Sequence, residues 1–124
     1  MTRKILIVDD EQNIAISVEF LMKREGFEVT VARDGEEGLE RIRADRPDLV
    51  LLDVMMPKLN GFQVCEAVRS DPELAEVRIV MLTAKGREAE INKGMSLGAD
   101  AYIPKPFATS DLVAKVKALL GSEE

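Results

Sequence analysis

The chain contains no histidine and a single cysteine among its 124 residues. The first absence removes imidazole acid–base catalysis and the commonest transition-metal ligand. The second leaves no disulfide framework and no thiolate metal site. Cys65, close to Val64 and Val68 on a helical pattern, reads as a small core residue. No basic arm or Lys/Arg-rich tract occurs, and 23 acidic against 17 basic residues give a net charge of −6. That balance argues against direct nucleic-acid binding. No apolar run approaches the ~18 residues of a membrane span, and the stretch after Met1-Thr2-Arg3-Lys4 is too short for a signal-peptide core. A cytoplasmic protein without a membrane segment is the expectation.

What is present suffices for a core. Hydrophobic residues make up 46% of the chain, at the length of one ordinary domain. Apolar runs and helical periodicities alternate five times, without repeats or low-complexity segments. Lys4–Val8, Glu28–Ala32, Leu49–Asp53, Arg78–Thr83 and Ala101–Pro104 read as strands. The second alternates polar and apolar residues, and the fifth contains Pro104, which cannot donate to a ladder; both features suit edges. Helices are predicted over Gln12–Glu25, from Asp34 to before Pro47, over Gly61–Ser70, Arg87–Leu97 and Thr109–Leu120. Gly26 and Gly98 suit helix stops, and Asp34 with Glu37 has the spacing of a capping box. Strand–helix alternation with short connections implies parallel βαβ units and a three-layer, doubly wound α/β sheet, residues 1–124 forming one domain.

In such a sheet, ligands bind beyond the carboxyl ends of the strands. Asp9 and Asp10 close the first apolar strand, Asp53 closes the third, and Lys105 follows the fifth. Three carboxylates and one ammonium sum to a formal charge of about −2, which a divalent cation such as Mg²⁺ would cancel. At ~4 Å and an effective dielectric of 20, each like-charge pair costs about 4 kcal/mol. The set therefore calls for a cation. Capping of the first helix is the plainer reading of Asp9 and Asp10, but it does not account for Asp53. A solvated surface lysine is the plainer reading of Lys105, and it is weak for a lysine between Pro104 and Pro106. Thr83, ending its strand, reads from the residues alone as a β-former.

Four pieces, in order, resemble the receiver domain of bacterial two-component response regulators: I-L-I-V-D-D-E at 5–11, D-L-V-L-L-D-V-M-M-P at 48–57 with Gly61, V-M-L-T-A at 80–84, and G-A-D-A-Y-I-P-K-P-F at 98–107. The resemblance covers essentially the whole chain. It implies the flavodoxin-like (βα)5 fold with strand order 2-1-3-4-5. It implies that Asp53 accepts a phosphoryl group from a histidine kinase or phosphotransfer protein. Asp9, Asp10, Asp53 and the Met55 backbone carbonyl would hold Mg²⁺. Lys105 and the Thr83 hydroxyl would bind the phosphoryl group. Tyr102 would swing inward as Thr83 moves, and the Lys105–Pro106 peptide would be cis. Met55 and Lys85 occupy the positions that tune water attack on the acyl phosphate. The only chemistry implied is self-phosphorylation and self-dephosphorylation, not turnover of a separate substrate.

No output domain follows the last helix, so a stand-alone receiver, or one excised from a longer DNA-binding regulator, is expected. The segment 78–120 resembles receivers that form weak homodimers through charged pairs, for which Asp100, Asp111, Lys115 and Lys117 are available. Ile91 and Ala101 depart from that charged pattern. Ile91 and Met95 would then offer apolar contacts to a downstream protein partner. Two rival chemistries share features of this pattern. A haloacid-dehalogenase-type phosphatase needs an acid two residues after its nucleophile, where this chain has Met55. A flavin carrier needs a hydroxyl- and glycine-rich first loop, where this chain has Asp9-Asp10-Glu11.

Overall fold

The computed structural model describes residues 2–84 and 88–121. Strands β1 (Lys4–Val8), β2 (Glu28–Ala32), β3 (Leu49–Asp53), β4 (Arg78–Ala84) and β5 (Ala101–Lys105) alternate with helices α1 (Gln12–Arg24), α2 (Gly35–Asp45), α3 (Gly61–Arg69), α4 (Glu88–Ser96) and α5 (Thr109–Leu120), with a 3₁₀ turn at Pro72–Leu74. The strands form one parallel sheet in the order β2-β1-β3-β4-β5. This is the expected flavodoxin-like order, with β2 and β5 at the edges. The order reverses between β1 and β3, which makes their carboxyl ends the topological switch point.

Successive side chains on a strand point to opposite faces, and the core divides accordingly. Ile5, Ile7, Leu49, Leu51, Val80, Leu82, Ala101 and Ile103 pack with residues of α1 and α5. Leu6, Val8, Val50, Leu52, Ile79 and Met81 pack with residues of α2 and α3. Cys65 is fully buried in this second layer, as expected, and burial pushes its thiol pKa up. The central strands are apolar on both faces because helices cover both. Among the described residues no helix is long and apolar enough to cross a membrane.

Differences from expectation fall at element ends. Pairing of Ala84 with Lys105 extends β4 and β5 by one residue each. Pro104 sits inside β5 and is tolerated because no strand lies beyond it. Glu25 is the cap of α1 rather than its last residue, and Gly26 makes the turn at φ +95°. Ser70 likewise caps α3. The expected start of α4 at Arg87 lies outside the described residues. Asp34 caps α2 through the Glu37 N–H, but Glu37 accepts from the Arg33 N–H and not from Asp34. A reciprocal capping box forms instead at α3, between Asn60 and Gln63.

At the amino end of the sheet, Arg69 ties three segments together. Its Nε donates to the Gly98 carbonyl (2.8 Å) and its Nη2 to Asp100 Oδ2 (2.7 Å), which also accepts the Ile79 N–H (2.7 Å). Gly98, at φ +110°, passes so close to Arg69 that an added Cβ would lie 2.6 Å from its Cγ. Asp100 is thus an internal anchor, not a free partner for a charged dimer contact. Lys117 is likewise paired with Glu25 at 2.7 Å. Removing the guanidinium should leave the half-buried Asp100 carboxylate without its counter-charge, at a cost of about 1–3 kcal/mol. Urea denaturation of Arg69→Met should therefore show a clear loss of stability, and an unchanged midpoint would mean the network is ornamental.

Candidate functional site

Register and alternation bring the acids together. Val8 pairs with Leu52, so Asp9 and Asp53 leave the sheet side by side at the switch point. Asp9, Asp53 and Lys105 continue the same alternation as Ile7, Leu51 and Ile103, the layer facing α1 and α5. Carboxylate oxygens of Asp9, Asp10 and Asp53 lie within 4.8 Å of one another. Asp9 and Asp53 are buried, and Asp10 is exposed. Asp9 Oδ1 accepts the Glu11 N–H at 2.9 Å. The N-cap of α1 is Glu11, whose side chain makes no cap bond. Helix capping therefore leaves Asp53 and the crowding around it unexplained.

Lys105 supplies the counter-charge. Its Nζ lies 3.1 Å from Asp9 Oδ2, 3.3 Å from Asp53 Oδ1 and 3.0 Å from Glu11 Oε1. The strand-end pattern groups Lys105 with Asp9, Asp10 and Asp53 but does not include Glu11. Its only signal in the sequence is its place directly after Asp9-Asp10. Burial, followed by the charge of Asp9, pushes the Asp53 carboxyl up to about 7 despite the attraction of Lys105. Burial alone would lower the Lys105 pKa. The hydrogen bond to Glu11 and the charges of Asp53 and Asp9 outweigh burial and raise it.

The cluster opens into a cleft of about 500 Å³ whose walls include Asp10, Glu11, Asp53, Met55, Ala84 and Lys105. Met55 is highly exposed. Gly61 lets α3 approach the floor, since an added Cβ would collide with the Asp53 carbonyl oxygen and lie 2.9 Å from Val54 Cα. The Gly61 N–H donates to the Val54 carbonyl at 2.9 Å. The Lys105–Pro106 peptide is cis, as expected. Thr83 does not line the cleft, although Leu82 and Ala84 on either side of it do. It is buried, and its Oγ1 has no hydrogen-bond partner among the described residues. Tyr102 lies at the surface on β5 and takes no part in the cleft. Lys85 lies outside the described residues.

Hard oxygen donors grouped this closely, with excess negative charge, suit Mg²⁺. The family model of the response regulator receiver domain matches residues 5–117. The chain belongs to this family. A protein from Chloroflexus aurantiacus J-10-fl, assigned as a response regulator, superposes with a TM-score of 0.94 at 36% identity, covering 98% of this chain and 100% of that one. A chemotaxis response regulator from Vibrio cholerae gives 0.90 at 31%, covering 96% and 99%. The receiver domain of a sensor histidine kinase from Pseudomonas aeruginosa PAO1, whose structure holds a magnesium ion in the active-site cleft, gives 0.89 at 25%, covering 98% and 100%. This receiver domain thus falls within two-component phosphorelay signalling.

The raised carboxyl has a thermodynamic consequence. Its folded-state value of about 7 exceeds the ordinary 3.8, so the folded state holds that proton more tightly than the unfolded state. The folded protein is not penalised below pH ~4, and the penalty grows as pH rises towards 7, reaching a few kcal/mol at most. In EDTA, Asp53→Asn should be more stable than wild type at pH 7.5, and the difference should vanish at pH 4. Equal stabilities at both pH values in urea titrations would show that Asp53 is not under this stress.

Proposed function

We propose that this receiver domain accepts a phosphoryl group on Asp53 from a histidine kinase or phosphotransfer protein, with Mg²⁺ as cofactor. We propose further that the modification switches the surface formed by α4, β5 and α5 for a downstream protein partner. The observation that carries this reading is the Lys105 ammonium held 3.3 Å from Asp53 at the mouth of the acid cluster. In the reaction, an Asp53 carboxylate oxygen attacks phosphorus, the phosphorus–nitrogen bond of the donor phosphohistidine breaks, and an acyl phosphate forms. Little covalent help is needed; positioning and charge neutralisation dominate. Asp9, Asp10, Asp53 and the Met55 carbonyl would hold Mg²⁺, which supplies neutralisation of the phosphoryl oxygens when bound. Lys105 would pair with the same oxygens, and burial within the sheet edge keeps its charge effective.

Two observations support a switch. Thr83, one residue beyond Leu82, the β4 neighbour of Asp53, carries a buried hydroxyl with no partner among the described residues, and such groups are costly unless a partner arrives. The nearby α4 is lightly anchored: Gly94 is its one buried residue among those described, packed on Met81, and Lys93 lies over the Phe62 ring at 4.7 Å. Weakly packed elements are the ones that move at low cost. A phosphoryl group that binds Thr83 and Lys105 better in one arrangement shifts the population toward it. Two charge-assisted contacts of roughly 1.5–3 kcal/mol each approach the ~5.5 kcal/mol of a near-complete shift.

Incubation with acetyl phosphate should add one phosphoryl mass to wild type in Mg²⁺, and none to Asp53→Asn. Full labelling of that variant would remove Asp53 from the acceptor position, and undiminished labelling in EDTA would remove the requirement for Mg²⁺. Thr83→Ala should keep most of the labelling yet lose the response of α4 and β5. Amide NMR shifts on adding beryllofluoride, an acyl-phosphate mimic, are the measurement. Identical changes across α4 and β5 in both proteins would show that Thr83 does not couple them.

A further inference from the structure

An ammonium group has three N–H donors, and at Lys105 three carboxylates lie within 3.3 Å: those of Glu11, Asp9 and Asp53. Two of the three donors are hydrogen-bonded, to Asp9 Oδ2 and Glu11 Oε1, and Asp53 is an ion-pair partner at 3.3 Å. A phosphoryl group on Asp53 presents several acceptor oxygens and gains more than one hydrogen bond from Lys105 only if Asp9 or Glu11 lets go. Asp9 is poorly placed to do so. Its side chain is fully buried, and its other oxygen is held by the Glu11 N–H. Asp53 is the acceptor itself and stays at the reacting centre. Glu11 is different: its side chain is 60% exposed, and it makes no cap bond to α1. It can turn into solvent at little cost, and it cannot follow Lys105 onto a dianion without repulsion.

We infer that Glu11 is a positioning residue that holds Lys105 in the resting state and competes with the phosphoryl group on Asp53 for it. This deepens the proposed function and rests on Asp53 being the acceptor. In this arrangement the exposed arm of the cluster sets how readily the lysine is surrendered, while the buried arm fixes where it goes. Loss of the contact is worth the small amount typical of a partly exposed ion pair. Glu11 thereby adjusts the balance between resting and modified forms without contributing to the reacting set.

The test uses wild type, Glu11→Gln and Glu11→Asp, each spanning residues 1–124, with two readouts. Calorimetric titration of beryllofluoride in saturating Mg²⁺ should show an affinity gain on the order of two- to five-fold for Glu11→Gln. Glu11→Asp, one methylene shorter but still charged, should show part of that gain. In the metal-free protein, the NMR signal of the Lys105 ammonium should move in both variants, which a role confined to starting α1 would not produce. If both variants match wild type in affinity and in the lysine signal, the inference is wrong. It is also wrong if Glu11→Asp matches wild type while Glu11→Gln gains, because net charge alone would then account for the effect. Wild type that fails to bind beryllofluoride would overturn the acceptor reading, and this inference with it. Wild type that binds, with unchanged variants, overturns this inference alone.

Discussion

The crowding of Asp9, Asp10 and Asp53 around one lysine is the constraint on which the rest of this molecule depends. Like charges a few ångströms apart, two of them buried, resist folding unless a cation offsets them. Lys105 does this in part; burial and then the charge of Asp9 still hold the Asp53 pKa above its ordinary value. The remaining imbalance suits the cluster to a divalent cation.

The fold serves that cluster at two levels. The parallel sheet decides which strand ends are neighbours, and the order reversal between β1 and β3 leaves a gap above their carboxyl ends. The two-residue alternation then sends Asp9, Asp53 and Lys105 towards one side. Finer control comes from close backbone approach. Gly61 admits α3 against the Asp53 carbonyl, and the Asn60–Gln63 capping box fixes the helix start just there. At the opposite end of the sheet, Arg69 binds α3, β4 and the α4–β5 connection into a rigid base. Rigidity is therefore unevenly distributed. The amino end of the sheet is cross-linked, while α4 beside the site fully buries only Gly94 among its described residues.

That unevenness bears on communication with a partner. Met95 and Tyr102 are both exposed large apolar side chains, on α4 and β5. Asp100 is held by Arg69 and Lys117, though exposed, is paired with Glu25, which leaves Asp111 and Lys115 as the two of the four considered that are exposed and outside these pairs. The surface that a movement of Thr83 would reach is thus more apolar than its sequence suggests.

Much of this was legible in the chain itself. Apolar runs ending in acid, helical periodicities and glycine stops locate all five strands and all five helices to within a residue or two, because local sterics and hydrophobic burial act at short range. The acids Asp9, Asp10 and Asp53 were readable as one site because strand ends of a doubly wound sheet must converge. Other features required the tertiary structure. Glu11 reaches a lysine 94 residues away, and its place after Asp9-Asp10 does not say which residue it meets. The Arg69–Asp100 pair, the burial of the Thr83 hydroxyl and the displaced partner of Glu37 are likewise decided by which backbone passes within hydrogen-bonding distance. Sequence sets periodicity and the residue types at element ends. Only packing in three dimensions sets which charges meet, and at what distance.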